Sequence, residues 1–345
     1  MGTHALIQER FHVPRMGLGI IDEQHRFGVV QRMALQRLAN WRTSSAPSLA
    51  PLDKLRVVSS VEPQPDIILM SATPIPRSLA MVLYGDMEVS SMDEMPPGRK
   101  PVLTRLFNEE ERSVLYSIVR EEIRKGHQAY VVYPLVEASE RLHLRDATRM
   151  AEELSQGVFK EFSLGLVHGR MSSEERGQVM RRFKKGALQI LVATTVIEVG
   201  IDIPNATVMV VEHAERFGLS QLHQLRGRVG RGEDPSQCLL VHYGPSSPEA
   251  FRRLQVMEEE HDGFKIAEAD LALRGPGELL GTRQSGLADF RLANPARDSH
   301  LLLEARREAL DWLSKDPSLM QQESRALREI LKHRWGDRLE LGGIG

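Results

Sequence analysis

The chain of 345 residues holds a single cysteine, Cys238, so no disulfide can form within it, and the apolar run CLLVHY around that residue reads as a buried core thiol. Charge of one sign is not in excess. Lys and Arg total 45 against 47 for Asp and Glu, a formal net charge of -2, so contact with a polyanion has to come from local patches and not from a global positive field. No apolar run approaches the roughly 20 residues that a membrane-spanning helix needs, and the first residues lack the basic-then-apolar pattern of a secretory signal. Together these absences predict a cytoplasmic protein with no membrane association. No lysine directly follows a glycine, so the phosphate-cradling loop GxxxxGK[ST] does not occur.

What is present belongs to an ordinary globular chain. Apolar residues make up 41% and charged residues 27%, which excludes general disorder, and the length suits two domains with an appendage. LGIID (18–22) and DIILMS (66–71) are apolar runs of strand length with polar residues at their ends, as in buried parallel strands whose carboxyl ends carry a site. From about residue 101 the alternation repeats. Asn108 and Glu111 form a capping-box pattern, Leu115, Ile118, Val119 and Ile123 share a helical face, and Gly126 follows as a stop. Strands are predicted at AYVVYP, LGLVH, LQILVAT, ATVMVVEH and QCLLVHY, with helices near 146–155 and from Ser172 to Lys185. This alternation predicts an α/β protein built on parallel sheets flanked by helices. MPPGRKP (95–101) reads as a linker. The expected organisation is a partial α/β domain over 1–95, a complete one over 96–245, and a helical extension over 246–345 interrupted by a Gly-rich stretch at 275–286.

Three stretches carry chemistry. In GIIDEQHRFG (19–28), Asp22 after a strand is placed to hold magnesium and Glu23 to polarise a water, as a nucleoside triphosphatase requires; a polar turn after a buried strand would look the same. SATPIPRS (71–78) follows the next strand. Residues 193–232 contain Gly200 and Asp202 and then Gln224, Arg228 and Arg231 in the pattern QxxGRxGR. Arginines three apart on a helix project from one face, and guanidinium forks suit a γ-phosphate. A solvated basic face is the bland alternative for such a pair in isolation.

The ordered set DEQH, SATP, the Gly-x-Asp stretch and QLRGRVGR resembles superfamily-two helicases, and within them the RecG family of bacterial ATP-dependent DNA helicases. The finer likeness lies in DEQHRFGV, SATPIPRS, MPPGRKPV, YPLVEASE and EHAERFGLSQLHQLRGRVGRG, and GFKIAEADLALRGPGELLGTRQSG (263–286) is similar to the translocation motif shared with the transcription-repair coupling factor. The likeness extends from Thr3 to about Arg297. It implies RecA-like domains, with ATP and Mg2+ as cofactors bound between two of them. It implies Asp22 and Glu23 as metal and water-activating acids, Gln24 and His25 as links between nucleotide and DNA path, and Gly200, Asp202 and Gln224 as nucleotide-sensing positions. Arg228 and Arg231 match the arginine fingers. Ser71 and Thr73 match the motif coupling hydrolysis to domain movement, and Arg253, Arg283 and Gln284 the translocation motif, thought to be a helical hairpin levering a loop along duplex DNA. The implied partners are branched or forked DNA and single-stranded DNA-binding protein, with the protein acting as a monomer.

Two departures qualify the likeness. The P-loop is missing, and GTHALIQ at the start resembles a segment that follows it, so the chain is expected to be the C-terminal portion of such a helicase, without its wedge domain. The Ser- and Pro-rich stretch 42–65 reads as an exposed loop longer than the family's usual connection. A fragment of a transcription-repair coupling factor is one alternative, and a catalytically inactive DNA-binding or regulatory module is another.

Overall fold

The computed structural model describes residues 17–22, 66–71, 89, 90, 92, 94, 98–134, 149–194, 202–244, 247–274 and 298–342. The chain divides into two compact units, one drawn from Met1–Ala72, Ser78–Met87 and Pro276–Gly345, the other from Thr73–Arg77 and Glu88–Gly275. The 42–65 loop lies outside the described residues.

In the first unit, β1 (Leu18–Ile21) and β2 (Asp66–Leu69) pair in parallel, with Leu18 opposite Asp66 and Ile21 opposite Leu69. Two helices belong to the same unit, Ser299–Lys315 and Arg325–Gly342. The turn between them is folded by its own polar groups. The Asp316 carboxylate accepts from the backbone N–H of Met320 and Gln321 at 3.0 and 2.9 Å, and the Trp312 indole donates to Ser324 Oγ at 2.9 Å.

The second unit is a six-stranded, wholly parallel sheet of β3 (Leu103–Asn108), β4 (Gln128–Tyr133), β5 (Leu164–Val167), β6 (Ile190–Thr194), β7 (Ala206–Val211) and β8 (Gln237–His242), in the spatial order β3-β8-β7-β4-β6-β5. Every residue of β4, β6 and β7 is buried, as strands covered on both faces must be. Alternate side chains of β4 enter different cores. Tyr130 and Val132 join one with Met180, Phe183, Leu219 and Leu222, while Ala129, Val131 and Tyr133 join another with Leu115, Val119 and Phe159.

Helices cover both faces. In chain order they are α1 (Arg112–Arg124), α2 (residues 149–156), α3 (Ser173–Lys184), α4 (Leu219–Arg226), α5 (Pro248–Glu259) and α6 (Gly263–Arg274). The Asn108/Glu111 capping box is present, with reciprocal bonds of 3.1 and 2.9 Å, and opens a 3-10 turn that leads into α1; a second box, Ser172/Glu175, caps α3 directly. α1 buries Leu115, Tyr116, Val119 and Ile123, and Gly126 ends the turn beyond it at φ +97°. α5 and α6 form a helical hairpin packed against α4, and α5 also contacts β3 and the 3-10 turn Ala214–Arg216. The chain order reverses about β4: β6 lies on one side of it and β7 on the other. In open parallel sheets, ligands bind outside the carboxyl ends of the strands at such a reversal. Cys238 on β8 is wholly buried, and burial pushes its thiol up to about 12.

Candidate functional site

The two short strands of the first unit bring two of the expected residues to one edge. Met70 N–H donates to Ile21 O at 2.7 Å, which continues the ladder past the end of β1, so Asp22 and Ser71 emerge from adjacent carboxyl ends. Both are exposed. Glu23, Gln24, His25, Thr73, Gly200, Arg283 and Gln284 lie outside the described residues.

The second unit brings together Asp202, Arg228 and Arg231. The expectation that both arginines ride on a helix is corrected: α4 stops at Arg226, and Arg228 and Arg231 belong to the turn and loop that follow. The last turn closes through Gly227 N–H to His223 O and Arg228 N–H to Leu225 O, both 3.0 Å. Gly230 then adopts φ +72°, a conformation that leaves the helical path and that a side chain would strain. Beyond it Arg231 folds back, its Nε donating to Gly227 O at 3.1 Å and its Nη1 to Asp202 Oδ1 at 3.4 Å. The charges of Arg228, Arg231 and Asp202 all reach the hydroxyl of Tyr130 on β4. Burial pushes that hydroxyl up to about 12, with the two arginines pulling it down and Asp202 adding to the rise. Gln224 sits half-buried on α4, one turn before Arg228. The exposed Arg231–Asp202 pair contributes at most about 1 kcal/mol, so breaking it costs little.

Two buried charges that sequence reasoning missed fix this loop and the neighbouring strand ends. Arg226 is 5% exposed, and its Nη1 donates to the carbonyls of Met257 and Glu260 at 3.1 and 2.7 Å, tying α4 to the end of α5. Burial lowers its pKa, and burial with the Arg226 charge lowers that of His223 to about 4. The available signal was spacing: Arg226 follows Leu219 and Leu222 at seven and four residues, on the face that is buried.

Glu212, wholly buried, follows β7. Its carboxylate accepts from the hydroxyls of Tyr116 (2.7 Å) and Tyr243 (2.5 Å), with Arg112 Nη2 3.4 Å away. Burial and then Glu212 raise the pKa of both tyrosines. The adjacent His213 takes φ +51° and stacks on Tyr243 with ring centroids 3.9 Å apart. Further along this carboxyl edge, Tyr133 Oη, His168 Nδ1, Thr194 Oγ1 and His242 Nδ1 are buried without a hydrogen-bond partner among the described residues. Arg253, on α5, donates from Nη2 to Glu215 O at 3.2 Å and so holds the hairpin to the corner after β7.

Comparison with known proteins agrees with this geometry. Residues 110–233 match the helicase conserved C-terminal domain, and residues 260–341 match ATP-dependent DNA helicase RecG, domain 3, C-terminal. The chain is 49% identical over 319 residues to the ATP-dependent DNA helicase RecG of Synechocystis, covering 92% of this chain and 36% of that protein. It is 46% identical over 349 residues to the Aquifex aeolicus protein of the same description, covering 100% of this chain and 41% of the relative. Among solved structures, a RecG bound to a three-way DNA junction superposes with a TM-score of 0.61 at 46% identity, over 88% of this chain and 35% of that one. The chain thus spans well under half the length of these relatives. The parallel RecA-like sheet with its helical extension is consistent with these matches, and the chain belongs to the RecG family.

Proposed function

We propose that this chain is the C-terminal portion of an ATP-dependent DNA helicase that remodels stalled replication forks and branch-migrates recombination junctions, coupling ATP hydrolysis to movement on duplex DNA. The observation that carries the reading is the Arg231–Asp202 pair beside Arg228, at the start of a loop in a chain of the RecG family. A triphosphatase site needs one or two carboxylates for magnesium, with phosphate oxygens and water completing the shell. Asp22, exposed after a parallel strand, fits the first of these needs. Bound ATP–Mg2+ supplies the phosphoanhydride whose hydrolysis drives movement. Asp22 holds the metal, Glu23 orients the attacking water, and Gln24, His25, Gly200, Asp202 and Gln224 sense the nucleotide. Arg228 and Arg231 neutralise charge developing on the γ-phosphoryl group, and Arg231 exchanges Asp202 for phosphate as it does so.

Ser71 and Thr73 couple that event to movement, and Arg253, Arg283 and Gln284 serve translocation along duplex DNA. Phosphate contacts carry little base information, so selection is for DNA shape. The partners are branched DNA and single-stranded DNA-binding protein, and the protein acts as a cytoplasmic monomer; among the described residues no helix is long and apolar enough to cross a membrane. The test joins the amino-terminal portion of the Synechocystis relative to this chain and measures DNA-stimulated ATP hydrolysis and unwinding of a model fork. Arg228→Ala in that chimera is expected to lower kcat by about 10³ to 10⁵. The 345-residue chain alone is expected to show no sustained hydrolysis. Hydrolysis by the chain alone that survives Glu23→Gln would overturn the assignment.

A further inference from the structure

The segment that leads into β3 lies directly against the arginine loop. Arg99 Nε donates to Gly230 O at 3.0 Å. Val102 is buried beneath the same glycine, so closely that a Cβ at position 230 would come within 2.7 Å of Val102 Cγ2. Leu103 N–H then donates to Ser236 O at 3.0 Å, which opens the β3–β8 ladder. Gly230 stands between Arg228 and Arg231, so the peptide that sets the direction of Arg231 is gripped by Arg99 on one side, while the Arg231 guanidinium is held by Gly227 O and Asp202 on the other. A glycine is favoured at 230 twice over, by its φ of +72° and by the approach of Val102.

We propose that Arg99 is a positioning residue: it transmits displacement of the segment ahead of β3 into the peptide at Gly230 and thereby aims Arg228 and Arg231. The inference rests on the reading that the two arginines serve a γ-phosphate. Arg99 touches no reacting atom; it acts through the backbone of the loop, and small misplacements of a phosphate-binding group lower the rate of chemistry more than they lower binding.

The experiment compares Arg99→Gln, Arg99→Lys and Arg231→Ala in the chimera described above. Arg99→Gln is expected to lower kcat for DNA-stimulated hydrolysis roughly ten- to a hundredfold while KM for ATP stays within about twofold. Arg99→Lys, which keeps a charged donor, is expected to recover part of the loss. In the 345-residue chain, amide exchange at 228–232 should quicken in Arg99→Gln while β7 and β8 stay protected. Unchanged exchange, an unchanged kcat, or a loss shared by kcat and KM without recovery by lysine overturns the proposal. If Arg231→Ala itself retains full activity, the γ-phosphate reading fails. If Arg231→Ala is inactive and Arg99→Gln is not, only the role of Arg99 fails.

Discussion

Arg231 and Asp202 stand 3.4 Å apart at the surface of the second unit, joined across a loop that also returns Arg231 Nε to the carbonyl of Gly227. The carboxylate thus holds in place a guanidinium whose proposed task is to leave it for phosphate. An exposed pair is suited to that exchange because breaking it costs little.

Asp202→Ala should therefore change stability by less than about 1 kcal/mol, read as the urea midpoint of the 345-residue chain. In the chimera the freed Arg231 loses its resting partner, and Asp202 is itself assigned to nucleotide sensing, so KM for ATP should rise with the fold intact. A large loss of stability would show that the pair is structural.

Glu212 is predicted to matter in the opposite way. Its carboxylate accepts from a buried and a part-buried hydroxyl and faces a half-buried guanidinium, so Glu212→Ala takes the acceptor from Tyr116 and Tyr243 and leaves Arg112 only its bond to Tyr116. The expected cost is about 2–3 kcal/mol. Glu212→Gln keeps the volume and one acceptor, and should cost about 1–2 kcal/mol. Equilibrium unfolding in urea gives both values, and equal costs for the two variants would contradict the network.

The parallel sheet was legible because β4, β6 and β7 are continuous runs of buried apolar residues, a pattern that solvent-facing segments do not produce. β3 escaped because it is an edge strand. Thr104 and Arg105 interrupt its apolar residues, and Pro101 stands just ahead of it. Glu212 was not legible as a buried group, since a charge satisfied by hydroxyls from distant segments has the same letter as one in water, whereas Arg226 carried a signal only in its spacing from Leu219 and Leu222. The three-residue spacing of Arg228 and Arg231 fitted a helix, and the sequence did contain the contrary signal in Gly227 and Gly230. Asp202 and Arg231 were named from the sequence, but their direct contact depends on the path of the loop after α4.

His223 supplies a dependence on pH. Burial and the Arg226 guanidinium, 3.3 Å from Nδ1, lower its folded-state pKa from 6.5 to about 4. The unfolded chain therefore binds a proton through this range that the folded chain does not, and stability falls as the pH drops from 6.5 toward 4, by on the order of 3 kcal/mol when the range is complete. Urea midpoints measured across this range should slope downward toward acid for the parent chain. His223→Gln, which keeps an acceptor for Arg226 but cannot take up the proton, should flatten that slope; an unaltered slope would assign the acid sensitivity to other groups.

Arg253→Ala and Gln284→Ala separate a lever from a brace. Both residues are assigned to translocation, and neither is assigned to nucleotide, so in the chimera both substitutions should abolish fork unwinding while sparing ATP binding. Arg253 also donates to the Glu215 carbonyl and holds α5 to the corner after β7. Its removal leaves that acceptor short of a donor and should lower stability by about 1–3 kcal/mol, a loss that cooling or an osmolyte can offset. If unwinding by Arg253→Ala returns when stability is restored, the side chain is a brace. If unwinding stays lost in a folded protein that still hydrolyses ATP, the side chain works on DNA. Fork unwinding near the parent rate in both variants, each folded and hydrolysing ATP, would remove the translocation assignment and leave the Asp22 and Glu23 proposal standing, because those acids act on a bond that neither variant touches.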